Sequence, residues 1–270
     1  MNDMSQPTSE NTWKIRPFAE TLLAMSFLTR LPIPLTRTLD MPPLTHAMRF
    51  FPLAGAFIGS LVAGVLILGN LLGLPSLLAA VLALTAGTLT TGALHEDGLA
   101  DVADGFGGGK TREARLEIMH DSRIGTYGTI ALVLSYLGRA AIYQALAGAE
   151  PVTILALFAG AGAFSRALVV DLLWATRPAR SAGLSVFAGR PSRRSALFSL
   201  ISGGLGAALA AGYVLSPEIA IAAIAAAAVM LGLMRALSMR QIGGQTGDVC
   251  GAVQVLTELT MLTVYVATIR

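Results

Sequence analysis

Apolar residues in this chain run in long unbroken stretches. Seven windows, 53–73, 75–94, 128–147, 152–173, 197–215, 217–236 and 253–269, are each dominated by apolar side chains. Their length of about 20 residues is what a helix needs to cross the hydrocarbon core of a bilayer. None shows the two-residue alternation of a strand. Lipid offers no water to free backbone amides, so the windows are predicted to be transmembrane helices. The first, with Gly55, Gly59 and Gly64, and the Ala-rich sixth, from Ile219 to Met230, have small faces that let helices approach closely. A shorter run, 18–28, contains Glu20 and lacks a small-residue cleavage site. It reads as an amphipathic helix in the interface plane, not as a signal peptide. Residues 1–17 are polar and expected to be flexible. The expectation is therefore an all-α polytopic membrane bundle of about seven spans, with one integral membrane domain over residues 18–270.

Composition agrees. The chain is 54% hydrophobic and 13% charged, with a mean hydropathy of +0.68, whereas soluble domains carry about a quarter charged residues. A net charge of +3 would suit a nucleic-acid partner only if the cations formed a stripe, and they are scattered over loops, so none is expected. The scatter is instead topological. Of the 19 Lys and Arg, five precede the first window, four lie in 95–127, five in 175–196 and two in 235–252. Alternation over seven spans puts these segments on one side, which the positive-inside rule makes cytoplasmic. The single cysteine, Cys250, excludes an internal disulfide framework.

The segment after the second window reads His95-Glu96-Asp97-Gly98-Leu-Ala-Asp101-Val-Ala-Asp104-Gly105-Phe-Gly107-Gly108-Gly109-Lys110. If the second helix continues through it, Asp97, Asp101 and Asp104 at i, i+4 and i+7 share a face within about 60°. Like charges at that spacing repel. Either the face is simply solvated, or it holds a cation, and an all-oxygen donor set suits Mg²⁺ or Mn²⁺ over zinc. Gly98, Gly105 and the run Gly107 to Gly109 weigh toward a site, because glycine-rich turns expose amides to phosphate oxygens. Downstream, Arg115 and Arg123 are candidate phosphate clamps, and Asp121 is a candidate for completing the metal shell or acting as a base. Arg139 and Arg166 sit inside windows, where an ionisable group is a functional candidate, with Asp171 and Glu258 as available partners. In the last loop, Gly243, Gly244, Thr246, Gly247 and Asp248 precede a helix. That loop can present amides and a hydroxyl to an anion, or simply start the helix with Asp248 near its cap.

Three blocks carry a resemblance to a known family: Phe27-Leu-Thr-Arg30-Leu-Pro32-Ile-Pro34, the run from His95 through Gly128, and Gly243 through Ala252. With Arg49-Phe-Phe-Pro52 and Gly55 they span nearly the whole chain, which resembles the cobalamin-5′-phosphate synthases, also called adenosylcobinamide-GDP ribazoletransferases. The resemblance implies a Mg²⁺-dependent enzyme of the bacterial inner membrane, embedded in lipid with its active-site loops cytoplasmic. It would join adenosylcobinamide-GDP to α-ribazole or α-ribazole 5′-phosphate and release GMP. On that reading Asp97, Asp101 and Asp104 hold the metal and Glu96 or Asp121 takes the hydroxyl proton. Arg115, Arg123, Gly107, Gly108, Thr246 and Asp248 contact substrate. Whether subunits associate with one another, or with other enzymes of cobalamin assembly, stays open.

Two alternatives stand beside it. Asp101-Val-Ala-Asp104-Gly105 also matches the opening of the CDP-alcohol phosphotransferase motif. That motif, however, places Ala-Arg close behind the glycine, whereas Ala114-Arg115 comes nine positions beyond Gly105. A transporter would show broken helices near the midplane and internal symmetry, and the sequence displays neither.

Overall fold

A computed structural model describes residues 16–33 and 42–268. Most of the polar segment expected over 1–17, together with Pro34 of the first motif, lies outside the described residues. Helix α1 (Pro17–Leu28) begins on proline, whose fixed φ suits a first helical turn, and buries Ala19, Glu20, Ala24 and Leu28. The run expected to be a short helix is one, and it directs its one acid inward, where Glu20 pairs with Arg49 at 2.9 Å. Helix α2 (Leu44–Ala47) and a single 3₁₀ turn lead directly into α3 (Phe51–Leu71). Then come α4 (Ser76–Thr91), α5 (Leu94–Gly108), α6 (Arg112–Ile118), α7 (Thr126–Leu146), α8 (Pro151–Ala175) and α9 (Leu184–Ala188). The chain closes with α10 (Arg193–Val214), α11 (Pro217–Ile242) and α12 (Gly247–Thr268).

Helix boundaries follow local chemistry. Thr111, Ser192 and Ser216 each accept a backbone N–H of the first turn of α6, α10 and α11, and Gly243 ends α11 in the left-handed region. Among the described residues six helical stretches are long and apolar enough to cross a membrane, while α4 and α5 pass only as a pair bent by 90°. The straight continuation considered for the second window is therefore absent. Gly92 (φ 65°) and Ala93 (φ 59°) both adopt the left-handed conformation, which for alanine costs about 1–2 kcal/mol and turns the chain across the end of the bundle. The 16 residues of α4 reach about 24 Å, short of the roughly 30 Å hydrocarbon core, and α5 does not continue it in line.

Helix α8 is the central post, with 72% of its apolar window buried. It meets α3 where Gly55 and Gly162 bring the two backbones into contact, as the small face of the first window implied. Helices α10 and α11 are peripheral, only 22% and 28% buried. They turn Ile201, Leu209, Ile221 and Leu233 outward, an apolar surface suited to lipid.

Candidate active site

The cation-bearing loops converge at one end of the bundle. The Arg112 guanidinium of α6 donates to Ala179 O at 2.7 Å and to Ile242 O at 2.8 Å, so one side chain ties three loops together. Segments 177–179 and 243–245 are zipped by Ala179 N–H to Gln245 O (2.8 Å) and Gln245 N–H to Arg177 O (2.9 Å). Helices α5 and α12 cross so closely that a Cβ on Gly98 would lie 2.6 Å from Asp248 O. The crossing sets the α5 carboxylates beside the first turn of α12.

These elements enclose a cavity of about 900 Å³ lined by Glu96, Asp97, Asp101, Asp121, Arg180 and Asp248 among polar groups, with Leu116, Met119, Leu132, Tyr136 and Leu184 supplying apolar wall. The Asp101 carboxyl is pushed up to about 7, first by burial and then by the Asp248, Asp97 and Asp104 carboxylates, with Arg180 opposing. Excess negative charge therefore accumulates here, only partly offset by Arg180. Arg180 lies 3.6 Å from Asp248 Oδ2 and donates to Leu116 O at 3.0 Å.

The structure separates the remaining sequence candidates. Asp104 shares the face of α5 but leaves the cavity: its Oδ2 accepts Gly125 N–H at 2.7 Å and its Oδ1 accepts Gly128 N–H at 2.8 Å, which anchors the start of α7. Asp121 sits at the rim in a fork with Arg123, whose side-chain hydrogen bonds hold its carboxyl down to about 2. A carboxylate so stabilised is a weak proton acceptor. Arg115 donates to Gln241 O at 3.2 Å, Gly107 lies under the Tyr127 ring and Gly108 beside Ile118, and none of the three borders the cavity. Thr246 starts α12, accepting Val249 N–H at 3.3 Å and donating to Asp248 Oδ2 at 3.1 Å, so the threonine caps the helix and Asp248 faces the cavity. Glu96 is buried, its Oε1 accepting from Arg139 at 2.8 Å, while Oε2 has no partner.

The intramembrane arginines are both paired. Arg166 meets Glu258 at 3.2 Å, one of the two acids available in the sequence, whereas Arg139 meets Glu96 and not Asp171. Arg180, Glu117 and His120 line the cavity without having been candidates from the sequence: Arg180 counted only as loop charge, and nothing in the spacing links it to Asp248.

Among the described residues no three His, Cys, Asp or Glu side chains stand close enough to enclose a metal ion. Mg²⁺, however, usually takes one or two carboxylates and completes its octahedron with water and substrate phosphates. Asp97, Asp101 and Asp248 offer oxygen donors on two helices around one open space, from which one or two carboxylates suffice for that mode of binding.

Fold and cavity together define a multi-pass helical membrane protein with an acid-lined site at one end of its bundle. The chain belongs to the family described as Cobalamin-5-phosphate synthase, whose model matches residues 20–266. Among its relatives, the adenosylcobinamide-GDP ribazoletransferase of Azorhizobium caulinodans is 45% identical over 250 residues, covering 92% of this chain and 95% of the relative. That of Bradyrhizobium diazoefficiens is 43% identical over 249 residues, 92% and 94% of the two chains. That of Xanthobacter autotrophicus is 45% identical over 259 residues, 88% and 92%. No solved structure matches the chain. Family membership favours the ribazoletransferase resemblance over the CDP-alcohol phosphotransferase and transporter alternatives.

Proposed function

We propose that this protein transfers the cobinamide phosphate of adenosylcobinamide-GDP to a hydroxyl of α-ribazole or α-ribazole 5′-phosphate, releasing GMP, from the cytoplasmic face of the bacterial inner membrane. Similarity along nearly the full length to relatives named for that transfer carries the reading. The acidic cavity supports it, because a diphosphate brings several negative charges that only a metal-carrying or cationic site accepts.

One or two of the Asp97, Asp101 and Asp248 carboxylates would hold Mg²⁺ together with substrate phosphates, and the ion would neutralise and orient the diphosphate. Arg180, freed from its 3.6 Å contact with Asp248, meets phosphate oxygens in the same space, with Arg123 of the rim pair as a second clamp. In the transfer, the acceptor hydroxyl oxygen bonds to the phosphorus carrying cobinamide, and the bond from that phosphorus to the bridging oxygen breaks. The leaving group departs as GMP. Glu96 takes the hydroxyl proton through the oxygen that Arg139 leaves free. Asp104, Arg115, Gly107 and Gly108 act through the packing that shapes the cavity, and Thr246 through the start of α12. Cytoplasmic placement rests on the positive-inside distribution of the convergent loops.

The direct test incubates detergent-purified protein with Mg²⁺, adenosylcobinamide-GDP and α-ribazole and follows GMP and the corrinoid product together. Stoichiometric appearance of both is expected; release of neither overturns the reading.

A further inference from the structure

A second compartment adjoins the acidic cavity, and the proposed function gives it no role. It lies between the end of α1 and the break that separates α4 from α5, measures about 500 Å³, and shares Ala93 and Asp97 with the acidic cavity. Its walls are polar, with Ser26, Thr29, Arg30 and Thr91. Arg30 belongs to the first sequence motif, to which the transfer chemistry assigned nothing.

Arg30 is anchored at both ends of its aliphatic part. Its backbone N–H donates to Thr90 O at 2.7 Å. Its side chain lies on Gly92, where a Cβ would fall 2.5 Å from Nε. Gly92 is thus required twice, for its left-handed φ of 65° and for the room it leaves. The guanidinium itself is exposed and has neither ion pair nor hydrogen bond among the described residues. Arg112, Arg115 and Arg177, by contrast, are all committed to backbone carbonyls. Away from Asp97 the compartment runs into an apolar groove of about 530 Å³ that shares Ser26, Phe27 and Leu94 with it and adds Leu23, Leu44 and Phe187.

We propose that this compartment is the acceptor subsite, in which Arg30 binds the phosphomonoester of a nucleoside monophosphate and the apolar groove receives its base. The proposal rests on the transferase reading and deepens it. The diphosphate of the donor belongs in the large cavity, beside the carboxylates that would carry a metal. One uncommitted guanidinium matches one terminal phosphate, which it can meet through paired N–H donors. An apolar groove suits an uncharged aromatic base and not a second phosphate. The junction at Asp97 then brings the sugar hydroxyl of the acceptor to the edge of the acidic cavity, where the donor phosphorus lies.

The test measures binding of α-ribazole 5′-phosphate and of α-ribazole by microcalorimetry to the full chain in detergent. Arg30→Ala is expected to weaken the phosphorylated acceptor by about tenfold or more, the scale of a charge-assisted hydrogen bond, and the free nucleoside by less than about twofold. Arg30→Met keeps the stem that packs on Gly92 while removing the charge, and should behave alike; it decides the matter if the alanine variant does not fold. Arg30→Lys should recover part of the loss. Equal weakening of both acceptors, unchanged binding of the phosphorylated one, or a raised KM for adenosylcobinamide-GDP overturns the subsite. Wild-type protein that releases no GMP overturns the transferase reading instead, and the binding comparison still decides whether Arg30 selects a phosphate.

Discussion

Arg139 reaches from the middle of α7 to Glu96 at the start of α5, Nη1 donating to Oε1 across 2.8 Å, with side chains only 9% and 10% exposed. The same guanidinium lies 4.5 Å above the centre of the Tyr136 ring, and the Tyr136 hydroxyl shares a hydrogen bond of 2.7 Å with Thr88. One carboxylate and one aromatic face thereby offset the charge of this buried cation, while its Nε and Nη2 find no hydrogen-bond partner among the described residues, and the carboxylate is fixed in the wall of the acidic cavity. Just behind it Arg166, Glu258 and Gln254 form a second polar cluster, with the Gln254 amide donating to Glu258 at 2.6 Å.

Removing one partner of that pair strands the other. Arg139→Ala should destabilise the folded protein by about 3–5 kcal/mol, the cost of an uncompensated buried charge, seen as a lowered melting temperature in detergent. Arg139→Met combined with Glu96→Gln should recover most of the stability and still release no GMP. Activity in the double variant close to wild type would show that Glu96 only balances charge.

Asp101 and Asp104 share a helix face but differ in task. Asp101→Asn should reduce GMP release by about 10²-fold or more, with the melting temperature kept or raised, since a group crowded by like charges is lost. Asp104→Asn replaces one of the two oxygens that accept backbone N–H groups at the start of α7 with a donor NH₂, leaving one N–H unpaired. It should cost about 1–3 kcal/mol of stability and leave the apparent affinity for Mg²⁺ nearly unchanged. Identical behaviour of the two variants in paired melting and Mg²⁺ titration would refute the division.

The Asp101 carboxyl, raised from 3.8 to about 7 by burial and its acidic neighbours, sets a pH dependence with a definite sign. The fold favours the protonated form, so this group supports stability at low pH. That support is lost as pH rises from about 4 through about 7 and changes no further above. Metal binding runs the other way, because the ion must displace the proton: affinity should rise by up to about tenfold per unit below pH 7 and level off beyond it. Calorimetry in two buffers of different ionisation enthalpy, at pH 6 and pH 8, should register proton release only at the lower pH, and Asp101→Asn should abolish the difference.

Carboxylates that do not close round an ion by themselves should bind it weakly until phosphate oxygens complete the shell. Mg²⁺ affinity is expected to rise by at least about tenfold when adenosylcobinamide-GDP is present, and Arg180→Ala should erase most of that gain by removing the cation that meets the diphosphate. Tight Mg²⁺ binding by the protein alone, unaffected by substrate or by Arg180, would contradict this arrangement.

Hydropathy alone placed the spans, because a bilayer demands length and apolarity that can be counted along the chain. That the loops share one end was also legible: segments 95–127, 175–196 and 235–252 meet there, as the scatter of Lys and Arg implied. The acidic helix was legible as well, since i, i+4 and i+7 are local geometry. Local geometry was not enough to say which carboxylates face the cavity. That is decided by partners far off in sequence: Gly125 and Gly128 draw Asp104 away, Arg139 claims Glu96, and the α5–α12 crossing at Gly98 brings in Asp248. The 90° break after α4 was hidden for a related reason, as an alanine in the left-handed region has no compositional signature.

Sequence by itself determined that this protein is a multi-pass helical bundle with its acidic and basic segments between the spans, because hydrophobic length and charge placement are additive along a chain. Only the tertiary structure decided which acids line the cavity, with Arg180 among them and Arg30 in the compartment beside it, because ion pairs and helix crossings depend on distances in space that no spacing in sequence encodes.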